Sequence, residues 1–138
     1  MPSKYPLEIM TPEKVFFSGE VESVIIPTPD GYFGIQRKHE PMVVALKIGR
    51  MKMKIDSGWK ECVLSEGFVE IRPDKAIIYS QTAEWPEEID IKRAREARDA
   101  AREKLREKLS LREYMQNKVA LERAMARLQA GRKHIEND

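Results

Sequence analysis

Two arginines four residues apart, Arg123 and Arg127, place their guanidinium groups on one face of a helix, where both can fork onto phosphate oxygens. Arg98, Arg102 and Arg106 repeat that spacing upstream, beside an acidic row of Asp99, Glu103 and Glu107. Such ridges suit an acidic protein surface or an anionic ligand; the plain alternative is a solvated face laced by pairs such as Asp99 with Arg102 and Glu103 with Arg106. Groups for bond-making chemistry are scarce by comparison. His39 in "RKHEP" and His134 in "GRKHIEND" lack a serine or cysteine nucleophile with an orienting acid at recognisable spacing, so both are assigned to loops. "GYFG" at Gly31 to Gly34 is a turn entering a strand, and the chain carries neither a Walker-type phosphate loop nor a dinucleotide fingerprint. One histidine and one carboxylate in "HEP" are too few to ligate a metal. The expectation is therefore a binding protein with no catalytic residues and no metal site.

The elements that must position these arginines belong to two kinds of chain. All 8 prolines lie at or before Pro86, and 6 of the 7 glycines precede it. The 138 residues are 41% hydrophobic, enough for a core, and 35% charged, more than an average domain carries, which points to exposed or partner-facing helix. A single cysteine, Cys62, excludes an intrachain disulfide framework and suits a reducing compartment, with the thiol serving as a small buried hydrophobe.

The first half alternates. In "RMKMKID" Met51, Met53 and Ile55 point one way while Lys52 and Lys54 point the other, which is the pattern of a half-buried strand. "WKECVLS" and "GFVEIRP" follow the turn signals "DSG" and "SEG", and "RPDK" leads into "AIIYSQ". Earlier candidates are "PLEIM", "VFFSG", "VESVIIP", "GYFGI" and "MVVALKIG". These short strands predict a β-sandwich or flattened barrel of about nine or ten strands over residues 1–85.

The second half, residues 86–138, reads as an antiparallel hairpin of two helices of about five turns each. Asp90 is placed to cap the first helix, with Glu87 and Glu88 at its positive end. Ala94, Ala97, Ala101, Leu105 and Leu109 form its expected apolar stripe. "SLRE" at Ser110 to Glu113 is a capping box that starts the second helix, whose stripe is Tyr114, Leu121, Met125 and Leu128, with Gly131 as the expected stop. An alanine-rich seam buries little area, at about 0.8 kcal/mol per methylene, so detachment of this arm from its closed form is expected to be cheap.

Charge is split between the halves. Residues 1–86 carry 11 basic and 12 acidic side chains, and residues 87–138 carry 14 and 11. An excess of three, with Tyr114 as the single aromatic after Trp85, is a poor nucleic-acid footprint, although a nucleic-acid or scaffold adaptor with a basic hairpin remains the alternative reading. No apolar run approaches the ~20 residues of a membrane-spanning helix, and "MPSKYPLEIM" lacks the apolar core of an export signal, so a bacterial cytoplasmic location is expected.

Taken in order, "LEIMTPEKVFFSGEVESVIIPTPDGYFGI", "HEPMVVALKIG", "EGFVEIRPDKAIIYS", "AEWPEEIDIKRA" and "LERAMARL" resemble the epsilon subunit of the F1 sector of bacterial F-type ATP synthase, from about Leu7 to Leu128. The resemblance implies a non-catalytic rotor subunit in the central stalk. It further implies docking on gamma and the c-ring, a peripheral place on the inner face of the plasma membrane, and an arm that extends to the acidic segment of a beta subunit and restrains ATP hydrolysis. Arg98, Arg102 and Arg106 would meet that segment. In some members an "I-D-x-x-R-A" motif and two second-helix arginines bind ATP as a regulatory ligand and favour the folded hairpin, with no cofactor required. Ile89, Asp90, Arg93 and Ala94 match the motif, Arg123 and Arg127 match the pair, and Glu84 sits where the family offers a further ligand. His39 and Pro41 match a rotor-facing loop that departs otherwise, since the family's "L-P-G-H-A-P" reads "QRKHEP" here.

Overall fold

Alternating burial builds the first half strand by strand. In β1 (Tyr5–Met10) the side chains of Tyr5, Leu7 and Ile9 turn inward, and in β6 (Gly49–Ile55) Met51 and Met53 do the same while Lys52 and Lys54 remain outside. The structure, a computed structural model, describes residues 4–37, 40–56 and 58–137. The remaining strands of this half are β2 (Val15–Val21), β3 (Ser23–Thr28), β4 (Gly31–Gln36), β5 (Met42–Leu46), β7 (Gly58–Leu64), β8 (Gly67–Ile71), β9 (Ala76–Ser80) and the short β10 (Ala83–Glu84).

They form two five-stranded sheets, ordered β2-β1-β9-β8-β5 and β10-β7-β6-β3-β4, which is the expected sandwich. The pairings are antiparallel except for β1 with β9, where Leu7 to Met10 run beside Ala76 to Tyr79. Leu7, Ile9, Val69, Ile71 and Ile78 of one sheet and Val24, Ile26, Ile35, Met51, Met53, Cys62 and Leu64 of the other are buried and make the core. At about 1.5–3 kcal/mol for each large side chain taken out of water, this half holds most of the apolar stabilisation in the molecule. The Tyr5 hydroxyl joins the two sheets by donating to the Ile35 carbonyl at 2.6 Å. Expected turns appear where the backbone demands them: Gly31 closes β3 to β4 at φ 119°, and Asp56 leaves β6 at φ 55°.

A buried hydroxyl network fixes how the chain leaves the sandwich. The backbone N–H of Thr82 donates to Ser65 Oγ at 2.7 Å, that of Ser65 donates to Ser80 Oγ at 3.0 Å, and the Ser80 hydroxyl donates to the Thr82 carbonyl at 2.7 Å. These bonds satisfy the irregular backbone before β8 and after β9 and set the short pairing of Ala83 and Glu84 with Leu64 and Val63.

The chain divides into two compact units, Met1–Glu84 and Trp85–Asp138. The second begins with a single 3₁₀ turn, Pro86–Glu88, followed by α1 (Ile91–Leu105) and α2 (Leu111–Asn137). Ile91 at the start of α1 lies against Gly131 near the end of α2, and Arg102 meets Met125, so the helices run antiparallel. Their lengths differ from expectation: α1 has 15 residues and α2 has 27. Gly131 does not end α2. The helix continues to Asn137, which also places His134 in a helix rather than a loop.

Candidate regulatory site of the helical unit

The two helix starts form as their sequences dictate. Asp90 is the N-cap of α1, its carboxylate accepting from the backbone N–H of Arg93 at 3.1 Å. At α2 the N–H of Glu113 donates to Ser110 Oγ at 3.2 Å, and the Ser110 hydroxyl donates to the Glu113 carboxylate at 2.9 Å. Each cap fixes where its own helix begins.

The seam between the helices differs from the expected stripe. Ala94 and Ala101 are buried and Ile91, Arg98 and Leu105 half-buried, whereas Ala97 is exposed. These positions alternate in steps of three and four, the spacing that keeps one face toward a partner helix. Steps of four alone, as in Ala97, Ala101, Leu105 and Leu109, advance by about 40° each and wind off that face. On α2 the matching positions are Asn117, Leu121, Ala124, Leu128 and Gly131, all at least half-buried, while Tyr114 and Ala120 are exposed.

This register sorts the arginines. Arg102 follows the seam residue Ala101 by one position and Met125 follows Ala124, so each lies about 100° to the same side of its seam, and the Arg102 Nη2 to Met125 Sδ distance of 3.7 Å shows that these two flanks adjoin. Asp90 and Arg93 each precede a seam residue by one, as do Arg123 and Arg127 on α2. All four therefore share the opposite flank of the hairpin. Along the axis, at 1.5 Å per residue from the Ile91–Gly131 level, Arg93 stands about 3 Å in, Arg127 about 6 Å and Arg123 about 12 Å. Arg123 and Arg127 are half-buried, and Asp90 and Arg93 are exposed. The backbone positions of three arginines thus step along one flank of the hairpin, on which the Nε atoms of Arg123 and Arg127 are buried and Ala130 is 1% exposed.

Other expected residues fall elsewhere. Ile89 and Ile91 pack on α2 at Gly131, and Ala94 is fully buried in the seam. Glu84 is the last residue of β10 and belongs to the first unit. Arg98 is a seam residue with its side chain 18% exposed and its Nε donating to Asp99 at 2.9 Å, so the ridge of Arg98, Arg102 and Arg106 is exposed only in part. Arg106 pairs with Glu103 at 3.4 Å as expected, whereas Asp99 takes Arg98 rather than Arg102. His39 lies outside the described residues. Among those described, no cluster of three or more potential metal ligands occurs, and no helix is long and apolar enough to cross a membrane.

Comparison with protein families assigns both units. Residues 4–86 match the β-sandwich domain of the ATP synthase delta/epsilon chain, and residues 87–131 match the long α-helix domain of the same chain. The chain belongs to the ATP synthase epsilon-chain family. It is 51% identical over 124 residues to the ATP synthase epsilon chain of Ruminiclostridium cellulolyticum, covering 90% of this chain and 92% of that one. With the epsilon chain of Caldanaerobacter subterraneus it shares 43% identity over 137 residues, 99% of each. A chain in the Euglena gracilis mitochondrial ATP synthase structure matches with a TM-score of 0.79 at 23% identity, covering 91% of this chain and 80% of that chain. One in the Tetrahymena thermophila central stalk and c-ring matches at 0.67 and 14%, covering 94% and 97%. These structures share the fold. Epsilon chains are non-catalytic subunits of the synthase.

Proposed function

We propose that this epsilon chain is a central-stalk rotor subunit in which residues 1–85 dock on gamma and the c-ring. On this reading residues 86–138 form an arm that, when extended, reaches the acidic segment of a beta subunit and restrains ATP hydrolysis. The protein works at the inner face of a bacterial plasma membrane, peripheral through its complex. ATP acts as a regulatory ligand that favours the closed arm.

The observation that carries the regulatory part is the shared flank. Asp90 and Arg93 on α1 and Arg123 and Arg127 on α2 share a flank only while the helices are paired, and pairing is what extension would undo. A ligand held from both helices loses half of its contacts when they part, so it must stabilise the closed form, by about 2.7 kcal/mol at a hundredfold excess over Kd. The arginines serve the phosphates. Asp90, an anion already engaged as a helix cap, suits the adenine amino group rather than phosphate. Ile89 and Ala94 belong to the set by the family's pattern, Ala94 from within the seam, where it is fully buried. On the opposite flank Arg102 and Arg106, with Arg98 at the seam, present positive charge to an acidic partner.

The two-part reading is tested by a chain ending at Glu84. The sandwich holds its own core, so this chain should fold, join gamma and support assembly, and hydrolysis by the assembled complex should rise. A folded truncated chain that fails to join gamma, or one that leaves hydrolysis restrained, contradicts it.

A further inference from the structure

We propose that Arg98 is a built-in weak point of the closed hairpin, a charged residue at a seam position that keeps the arm releasable. The proposal rests on the movable-arm reading and adds to it the residue that sets how loosely the arm is held. α1 offers α2 five seam positions, Ile91, Ala94, Arg98, Ala101 and Leu105. Arg98 is the central one and the charged one. Its neighbours in the seam are small and tightly covered, Ala94 at 0% and Ala101 at 4% exposure, so α2 approaches closely on both sides of it. With its own side chain 18% exposed, most of Arg98 is covered in the closed hairpin.

Closing therefore strips water from a cation, and what matters is whether closing also supplies a new partner. Among the described residues the ion pair of Arg98 is with Asp99, next to it on the same helix and itself 60% exposed. That pair travels with α1 and exists equally in the open arm. It gives the closed state no advantage to offset the lost hydration. A single polar residue at such a position lowers the stability of a helix pair while holding it in one register. Arg102, one turn on, reaches α2 through the sulfur of Met125 at 3.7 Å, a weak acceptor.

The test is amide hydrogen exchange of the full chain, without other subunits, for wild type, Arg98→Leu and Arg98→Lys. Leucine keeps covered aliphatic volume and removes the charge, so the amides of α1 should exchange about fivefold or more slowly than in wild type. Lysine keeps the charge and should stay within about twofold of wild type. Equal or faster exchange in Arg98→Leu overturns the proposal, since it would mean that the arginine holds the seam as well as an apolar residue does. Because no beta subunit is present, the loss of a contact made by Arg98 in the complex does not enter the readout. Calorimetry with ATP on the same samples separates the two ideas: absence of ATP binding removes the ligand reading and leaves the exchange result standing.

Discussion

Gly131→Ala is a small change with a calculable effect on the closed arm. A methyl group at this position would lie 3.0 Å from Ile91 Cγ1, 3.3 Å from Ile91 Cδ1 and 3.5 Å from Ile89 Cγ2. The first of these is not the free end of the side chain, so Ile91 must shift as a whole in a seam whose next residue, Ala94, is fully buried. Overpacking of this kind costs about 1–3 kcal/mol. Alanine also gains about 1 kcal/mol over glycine in a helix interior, but α2 collects that gain whether the arm is closed or extended, so it cancels in the equilibrium between them. The closed form should lose roughly 5- to 150-fold in population relative to the open one. Hydrogen exchange on the isolated chain reads this as faster exchange in the first turns of α1, with the sandwich amides unchanged. Ile91→Ala removes both contacting atoms, so the double variant should show a favourable coupling of at least about 0.5 kcal/mol. Unchanged or slower exchange at α1 in Gly131→Ala would refute the reasoning.

Replacing Arg102 and Arg106 together by glutamine, with Arg98 kept so that the seam is unaltered, preserves helix propensity and removes exposed positive charge, so hydrolysis by the assembled complex should rise, most clearly at low salt; no change there would leave these two arginines as solvated residues. Gly67→Ala would drive a methyl group into the carbonyl oxygen of Tyr79, a backbone atom that cannot turn aside, and should cost the sandwich about 3 kcal/mol in urea unfolding. Alkali should weaken the same unit. Burial pushes the Cys62 thiol and the Tyr5 phenol up from ordinary values of 9.0 and 10.0, so the folded state keeps protons that the unfolded chain releases. Stability is then full below the ordinary thiol value and falls above it, by up to about 1.4 kcal/mol per pH unit for each group, and Cys62→Ala should remove the earlier part of that loss in urea midpoints followed with pH.

Much of the fold was legible because its signals are local. The two-residue alternation of Met51 and Met53 against Lys52 and Lys54, the turn residues Asp56 and Gly31, and the caps Asp90 and Ser110 each depend on a few neighbouring residues, and each formed as expected. The seam was harder, because a residue's place in it depends on the partner helix. A stripe drawn through apolar residues takes in Ala97 and passes over Arg98, yet the geometry turns Ala97 outward and Arg98 in. Gly131 misled for a related reason: glycine commonly ends helices, but here it gives α1 room to approach at Ile91. The candidate site was legible as residue types at helical spacing. That Asp90, Arg93, Arg123 and Arg127 share a flank apart from Arg102 needed the contact between Arg102 and Met125.

Calorimetric titration of the isolated full chain with ATP bears most directly on the central claim that this arm is held closed by a nucleotide. The account predicts saturable binding of one ATP per chain, weakened by Arg93→Ala and by Arg123→Ala. Arg123→Lys should rescue it poorly, since lysine offers a point charge where the guanidinium offers a fork. No heat of binding to the wild-type chain at about millimolar ATP, a level at which a Kd tenfold lower would give ~90% saturation, would contradict it.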